Sequence, residues 1–270
     1  MASITAIILT RNEKDFIEDC IRSIQKITER IVVVDSFSED NTVELAKNMG
    51  AEVYQHEFFN YSKQYKYAVE IANVKTKWIL RIDADERLTS ESAVELEQLC
   101  NDNENTNVTG IVLRFYNMFL AKPMYHGGMY PWKKLSVYKT GIGDIEDRNM
   151  DEHIILSSGT VIETKKDSKH LAYRGLTFFT NKSNWYSTRE AMDYFEQKKV
   201  SKKNANFKTR IKMNIYYKLP LGLRSWLYYA YRYYIRLGFL DGKEGKIFCF
   251  LTAYWYRFLV DAKIYEHEKL

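Results

Sequence analysis

Cysteine, proline and glycine are scarce in this 270-residue chain, with 3 Cys, 3 Pro and 12 Gly. Cys20, Cys100 and Cys249 lie far apart and form no CxxC pair. Neither a disulfide framework nor a cysteine zinc site is expected, and a reducing cytoplasm is the default. So few prolines and glycines leave little room for linkers, which points to one large domain or a domain with an accessory segment. The longest uncharged apolar stretch, Ile247 to Tyr256, is too short to span a bilayer. Met1-Ala2-Ser3 runs straight into an apolar segment, so no leader is expected. Neither GxGxxG nor GxxxxGK[ST] occurs, which removes the main support for a dinucleotide fold or a P-loop. Hydrophobic residues at 46% and charged residues at 28% exclude disorder and collagen-like structure.

Acidic residues are missing altogether between Gln197 and Leu240, where eleven basic residues occur: Lys198, Lys199, Lys202, Lys203, Lys208, Arg210, Lys212, Lys218, Arg224, Arg232 and Arg236. The net charge is +5, so the rest of the chain sums to −6. Aromatic residues are interleaved with this charge, among them Tyr216, Trp226, Tyr229 and Tyr234. Such a segment suits an anionic membrane face; a solvated helical face with its aromatics turned inward has the same composition. Contact with anionic membrane is expected, nucleic acid is not, and the aromatic tail would serve a homodimer equally well.

The first half alternates strand and helix. Ile4 to Leu9 is a continuous apolar run, as in a strand buried on both faces. Phe16, Ile17, Cys20, Ile21, Ile24 and Ile27 then fall on one helical face. Strands follow at Ile31 to Val34, Glu52 to Gln55 and Trp78 to Ile82, with helices at Asn41 to Met49, Ser62 to Asn73 and Ser90 to Leu99. This order predicts an α/β fold with a doubly wound, mainly parallel sheet. Beyond it, Gly110 to Phe119 and Leu135 to Lys139 read as strands and Ser183 to Gln197 as helix. His126-Gly127-Gly128 has the composition of a mobile acceptor loop.

Ligands of such sheets bind beyond the carboxyl ends of the strands. Three strands here end in polar residues: Thr10-Arg11-Asn12-Glu13, Asp35-Ser36-Phe37-Ser38 and Asp83-Ala84-Asp85-Glu86. Two carboxylates one residue apart, Asp83 and Asp85, can face a shared hard cation whose other ligands are phosphates and water. Asp35 can accept hydrogen bonds from a nucleobase or ribose; Ser38, Asp40 or Asn41 can equally cap the next helix.

These three segments, in this order and spacing, resemble family 2 glycosyltransferases, within it the bacterial enzymes of lipopolysaccharide core, capsule and exopolysaccharide synthesis. The likeness is firm over about the first 100 residues and extends to about residue 160. It implies the GT-A fold of Rossmann-like type, with a helical, aromatic C-terminal extension. The expected division is a catalytic domain at 1–197, with a nucleotide-sugar half at 1–105 and an acceptor half at 106–197, then the extension at 198–270.

The resemblance further implies inverting transfer from a nucleotide sugar, expected to be a UDP-sugar, to a glycan or lipid-linked acceptor, with Mn²⁺ or Mg²⁺ as cofactor. The enzyme would work in the cytoplasm, peripherally at the inner face of the plasma membrane. Carried over residue by residue, Thr10, Arg11, Asn12, Glu13, Asp35, Ser38, Lys66, Asp83 and Ala84 would line the nucleotide site. Asp85, with Asp83, would hold the metal. Ser36 and Phe37 stand where many relatives have a second acid and a glycine. An inverting displacement needs a general base opposite the leaving diphosphate. Asp151-Glu152-His153, 66 residues after Asp85, is the candidate, with Glu152 first and Asp151 second. Tyr130 and Trp132 are candidate stacking platforms for the acceptor, beside Lys133 and Lys134. A nucleotidyltransferase and a non-catalytic membrane-surface module are the rival readings.

Overall fold

The computed structural model of the chain describes residues 2–146, 153–204 and 219–270. The chain forms two compact units, Met1–Asn117 with Pro131–Ala172, and Met118–Tyr130 with Tyr173–Leu270. The second unit thus combines residues 118–130 with the chain from Tyr173 onward.

The first unit is an α/β sheet built as the apolar runs require. Its strands are β1 (Ile4–Thr10), β2 (Arg30–Asp35), β3 (Glu52–Gln55), β4 (Trp78–Arg81), β5 (Glu86–Arg87), β6 (from Val108), β8 (Trp132–Lys139) and β11 (Thr160–His170). The order across the sheet is β3-β2-β1-β4-β8-β6-β11-β5. The first four strands are mutually parallel. β8 runs antiparallel to β4 and β6, and β11 lies parallel to β6. Successive residues of β1 face opposite sides. Ile4, Ala6 and Ile8 pack with α1 (Ile17–Ile24), α2 (Thr42–Asn48) and α4 (Ser90–Asp102). Ile7 packs with Val32, Val34 and Ile79 against Tyr65, Ala68 and Ala72 of α3 (Tyr61–Ala72). Both faces are covered, which is why these strands read as unbroken apolar runs rather than alternating ones.

Local signals set the helix ends near the site. Asn60 caps α3 by accepting from the Lys63 N–H at 2.8 Å, and Asn73 ends it in the left-handed region. Thr89 and Ser92 form a reciprocal capping box at the start of α4. β11 has no counterpart in the sequence reading. Its inward residues are Thr164 and Ser168, and Ser168 Oγ meets Ser92 Oγ at 3.1 Å. A strand that packs through hydroxyls leaves no apolar pattern to detect. A small separate ladder joins β9 (Gly143–Ile145) and β10 (Ile154–Leu156).

The second unit holds β7 (Lys122–Met124), the long helix α5 (Leu176–Asn204), and helical segments at Leu223–Ala230, Gly242–Cys249 and Tyr256–Lys269. Ala191 and Tyr194 of α5 pack on Val260 and Ile264. Phe119 and Met124 pack on Phe248. The helix after Leu223 widens into a π-turn at Tyr231–Ile235, and a second π-turn spans Phe250–Trp255. Arg232 of the first donates to Thr252 Oγ1 of the second at 2.7 Å. His126-Gly127-Gly128, expected to be a mobile loop, is tethered instead. His126 N–H and Nδ1 meet the Asp241 carboxylate at 2.8 and 2.6 Å. Gly127 N–H donates to Arg236 O, and Gly127 O accepts from Arg232 Nε at 2.6 Å. The approach requires glycine, since a Cβ at Gly127 would stand 2.9 Å from Cys249 Sγ and its φ is +76°.

Candidate active site

Strand order reverses between β1 and β4, because β2 and β3 lie on one side of β1 and β4 on the other. The carboxyl ends of these strands border the crevice where ligands of open α/β sheets bind. All three polar strand ends anticipated from the sequence meet along this edge, with Thr10 beside Asp35 in the ladder.

The first two ends are laced together. Asp35 is fully buried. Its carboxylate accepts from Thr10 Oγ1 at 2.9 Å, from the Ser38 N–H at 2.8 Å, from the Ser38 hydroxyl, and from Gln55 Nε2 at 3.4 Å. Asn12, at φ +57°, donates its N–H to Ser38 Oγ and accepts the Glu39 N–H on its side chain. Glu13 N–H donates to Thr42 Oγ1 at 2.7 Å. Asp35 therefore orders Thr10 and Ser38 rather than standing open to solvent. Arg11 and Phe37 are exposed at this edge, and Phe37 is held at φ +53°.

The third end is an ion cluster. Asp83 Oδ1 accepts from the Tyr61 hydroxyl at 2.8 Å, and Asp83 Oδ2 accepts from Lys134 Nζ at 2.7 Å. Lys134 also donates to both oxygens of Glu86, at 2.8 and 3.0 Å. Glu86 is fully buried and accepts the Asp83 N–H as well. Arg81 stacks over the Tyr61 ring at 4.6 Å and donates to its oxygen at 3.1 Å. From the other side, Arg87 donates to the Ala84 and Glu86 carbonyls at 2.6 and 2.7 Å. Cys20 Sγ lies 3.5 Å from the Asp83 carbonyl. The Asp83-Ala84-Asp85-Glu86 turn is thus held on side chain and backbone alike, which preorganises it.

The cluster splits its two acids. Burial works against the charged form of Asp83, but Lys134 and Arg81 outweigh it and hold Asp83 well below the usual carboxylate range. Burial dominates at Glu86, and the Asp83 charge adds to it, so Glu86 is pushed up to about 7 despite Lys134. Burial alone would lower the Lys134 pKa; the two carboxylates more than restore it.

Asp85 has a neighbour that no motif announced. His170, the last residue of β11, brings Nε2 to 3.8 Å from Asp85 Oδ2. Its Nδ1 lies 2.8 Å from Asn117 Oδ1, which orients the ring. The Leu171 N–H donates to the Asp85 carbonyl at 2.7 Å and pins the two segments together. Trp132 lies tilted against His170 at 4.8 Å and against Phe115 at 5.2 Å. His170 was out of reach of the sequence because 85 residues separate it from Asp85 and a polar strand delivers it.

A carboxylate and an imidazole nitrogen, the ring oriented by a second hydrogen bond, are donors of the kind that hold Mn²⁺. Among the described residues no three His, Cys, Asp or Glu side chains converge on one point, so donor phosphates or water would complete the shell. Asp83, expected to share the metal, has an ammonium on one oxygen and a phenol on the other. Lys66 is half-exposed and 3.8 Å from Asp144, while the cations facing Asp83 are Lys134 and Arg81. Lys133 pairs with Glu163 at 2.7 Å, so neither lysine stands free as an acceptor contact. Tyr130 lies in the second unit, edge-on to Tyr125 at 5.0 Å. Asp151 and Glu152 lie outside the described residues, and His153 is exposed.

The sequence model of "Glycosyl transferase family 2" matches residues 5–209. "Uncharacterized glycosyltransferase RP128" of Rickettsia prowazekii (strain Madrid E) is 26% identical over 272 residues, covering 98% of this chain and 87% of the relative. "Lipopolysaccharide core biosynthesis glycosyltransferase LpsC" of Rhizobium meliloti (strain 1021) is 26% identical over 274 residues, covering 99% and 93%. Among solved structures, the mannosyltransferase PcManGT from Pyrobaculum calidifontis, in complex with GDP-Man and Mn²⁺, aligns over 97% of this chain and 85% of its own. That alignment has a TM-score of 0.50 at 12% identity, and it shows the fold, GT-A as expected.

Two outcomes follow from the ion cluster. Replacing Lys134 by Met leaves the buried Glu86 and the half-buried Asp83 without the cation between them, and denaturant unfolding should show a loss of about 3 kcal/mol. Glu86 carries the opposite sign to an ordinary paired acid. Its folded pKa is raised from 4.5 to about 7, so its contribution to stability is full below 4.5 and is lost as pH rises through about 7. Unfolding measured across that window should show this decline in the wild type and not in Glu86→Gln.

Proposed function

The chain belongs to glycosyl transferase family 2, and from that premise we propose that it moves a sugar, with inversion, from a UDP-sugar to a lipid-linked or lipopolysaccharide core acceptor. The observation that carries the reading is the Asp85–His170 pair, set at the strand edge beside the polar ends of β1 and β2. The likeness to LpsC along almost the full chain supports the acceptor class. Supply of nucleotide sugars fits a cytoplasmic enzyme working at the inner membrane face.

The roles divide by accessibility. Thr10, Arg11, Asn12, Glu13 and Ser38 line the base and ribose side, kept in shape by the buried Asp35. Asp83 retains lone-pair capacity and 35% side-chain exposure, enough to accept a ribose hydroxyl. The ammonium on its Oδ2 opposes a dication there, so Asp85 and His170 would hold the metal. When bound, that ion neutralises charge on the departing diphosphate. Trp132, backed by Phe115 and His170, offers a face for a sugar ring. Glu152, with Asp151 second, is the proposed base that takes the proton of the acceptor hydroxyl, an assignment that rests on sequence position.

Calorimetric titration with UDP, GDP and CDP, each with and without Mn²⁺, tests the reading. UDP should bind with Mn²⁺ and weakly or not at all without it; a folded protein that binds no nucleotide would overturn the transferase. Asn117→Ala frees the His170 ring, and Mn²⁺ affinity measured in the presence of UDP should fall about tenfold or more. Glu152→Gln should bind UDP with Mn²⁺ as the wild type does yet transfer about a hundredfold more slowly or worse. Full activity in that variant removes Glu152 from the mechanism.

A further inference from the structure

The helix that begins at Leu223 is turned inside out. Leu223, Trp226, Leu227, Tyr231, Tyr234 and Ile235 recur at helical spacing and are all exposed, with Trp226 at 55%, Tyr234 at 60% and Ile235 at 71%. Its inward stripe is the polar one. Arg224 is buried in an ion pair with Asp261, Ser225 is buried beside it, and Arg232 is buried against Gly127 O and Thr252. A helix on an aqueous surface shows the reverse arrangement. Leu237, Phe239 and Leu240 extend the exposed apolar surface past the end of the helix. Single exposed apolar residues are ordinary; a contiguous stripe with its charges pulled inward is not.

Charge selects the occupant. The chain leading into the helix, Gln197 to Gly222, carries eight basic residues and no acidic one, and Arg236 after the helix is exposed. A second copy carries the same basic run and offers it no opposite charge. An anionic lipid surface is complementary to that charge. The side chains also suit it: Trp and Tyr place an apolar ring and a polar tip at the level of headgroups, while Leu and Ile enter the acyl boundary. Among the described residues no helix is long and apolar enough to cross a membrane, so contact of this helix is parallel to the surface.

We propose that the outward face of Leu223–Ile235, continued by Leu237, Phe239 and Leu240, lies in the interface of an anionic bilayer and holds the enzyme there. This deepens the acceptor side of the transfer reading, and its test needs neither donor nor metal. The full-length protein is floated with phosphatidylcholine vesicles, with and without phosphatidylglycerol. It should float with the anionic vesicles, and Trp226→Gln combined with Ile235→Gln should weaken that binding about tenfold or more. Both positions are exposed, so thermal unfolding and UDP binding should stay as in the wild type. A wild type that ignores anionic vesicles overturns the proposal, as does a double variant that floats equally well. A wild-type dimer in sedimentation velocity that the double variant disrupts, with no flotation, assigns the face to a second copy instead. A protein that floats but binds no nucleotide sinks the transfer reading alone.

Discussion

The Lys134 ammonium is the point on which the strand-edge geometry turns. It reaches from β8 to the end of β4 and sits between the carboxylates of Asp83 and Glu86. Without a cation there, two acids three residues apart would repel one another at the carboxyl edge of a buried strand. With it, Asp83 stays charged, Glu86 can remain buried, and the backbone N–H of Asp83 has an acceptor. The same contact occupies Asp83 Oδ2 with an ammonium. A buried cluster of this kind adds little net stability. Its effect is positional, because it fixes one turn in one conformation and leaves Asp85 facing His170.

Preorganisation of the neighbouring loops follows a similar logic with neutral donors. Asp35 draws four donors inward, which ties the β1 and β2 ends together. Left-handed backbone at Asn12 and Phe37 is uncommon for residues other than glycine, and here it is held by the Asn12–Ser38 and Asn12–Glu39 bonds. Such strain is retained where surrounding contacts over-determine the loop. It leaves Arg11 and Phe37 exposed at the edge.

The second unit uses its charges differently. Arg224 and Arg232 serve as interior hydrogen-bonding and ion-pairing groups, which frees the opposite helix face for Trp226, Leu227, Tyr234 and Ile235. The two π-turns accommodate this by placing Arg232 and Thr252 within reach of one another. Composition alone was compatible with aromatics turned inward or outward; here Trp226, Tyr231 and Tyr234 are exposed while Arg224 and Arg232 are buried.

Sequence by itself determined the parallel half of the sheet, its helices and the three polar strand ends, because apolar periodicity and local capping act over a few residues and leave their mark in the chain. It also placed Asp85 at a strand end and marked the basic, aromatic segment. Only the tertiary structure decided that His170 meets Asp85, that Lys134 is an internal counter-ion rather than an acceptor contact, that Asp35 is fully buried, and that the helix from Leu223 turns its arginines inward. Each of these depends on groups brought together across tens of residues by strand pairing or helix packing. The polar strand β11 is the clearest case: its inward hydroxyls bond rather than exclude water, so no hydrophobic pattern foretold the strand, and the histidine it carries became legible only once it had paired with β6 and β5.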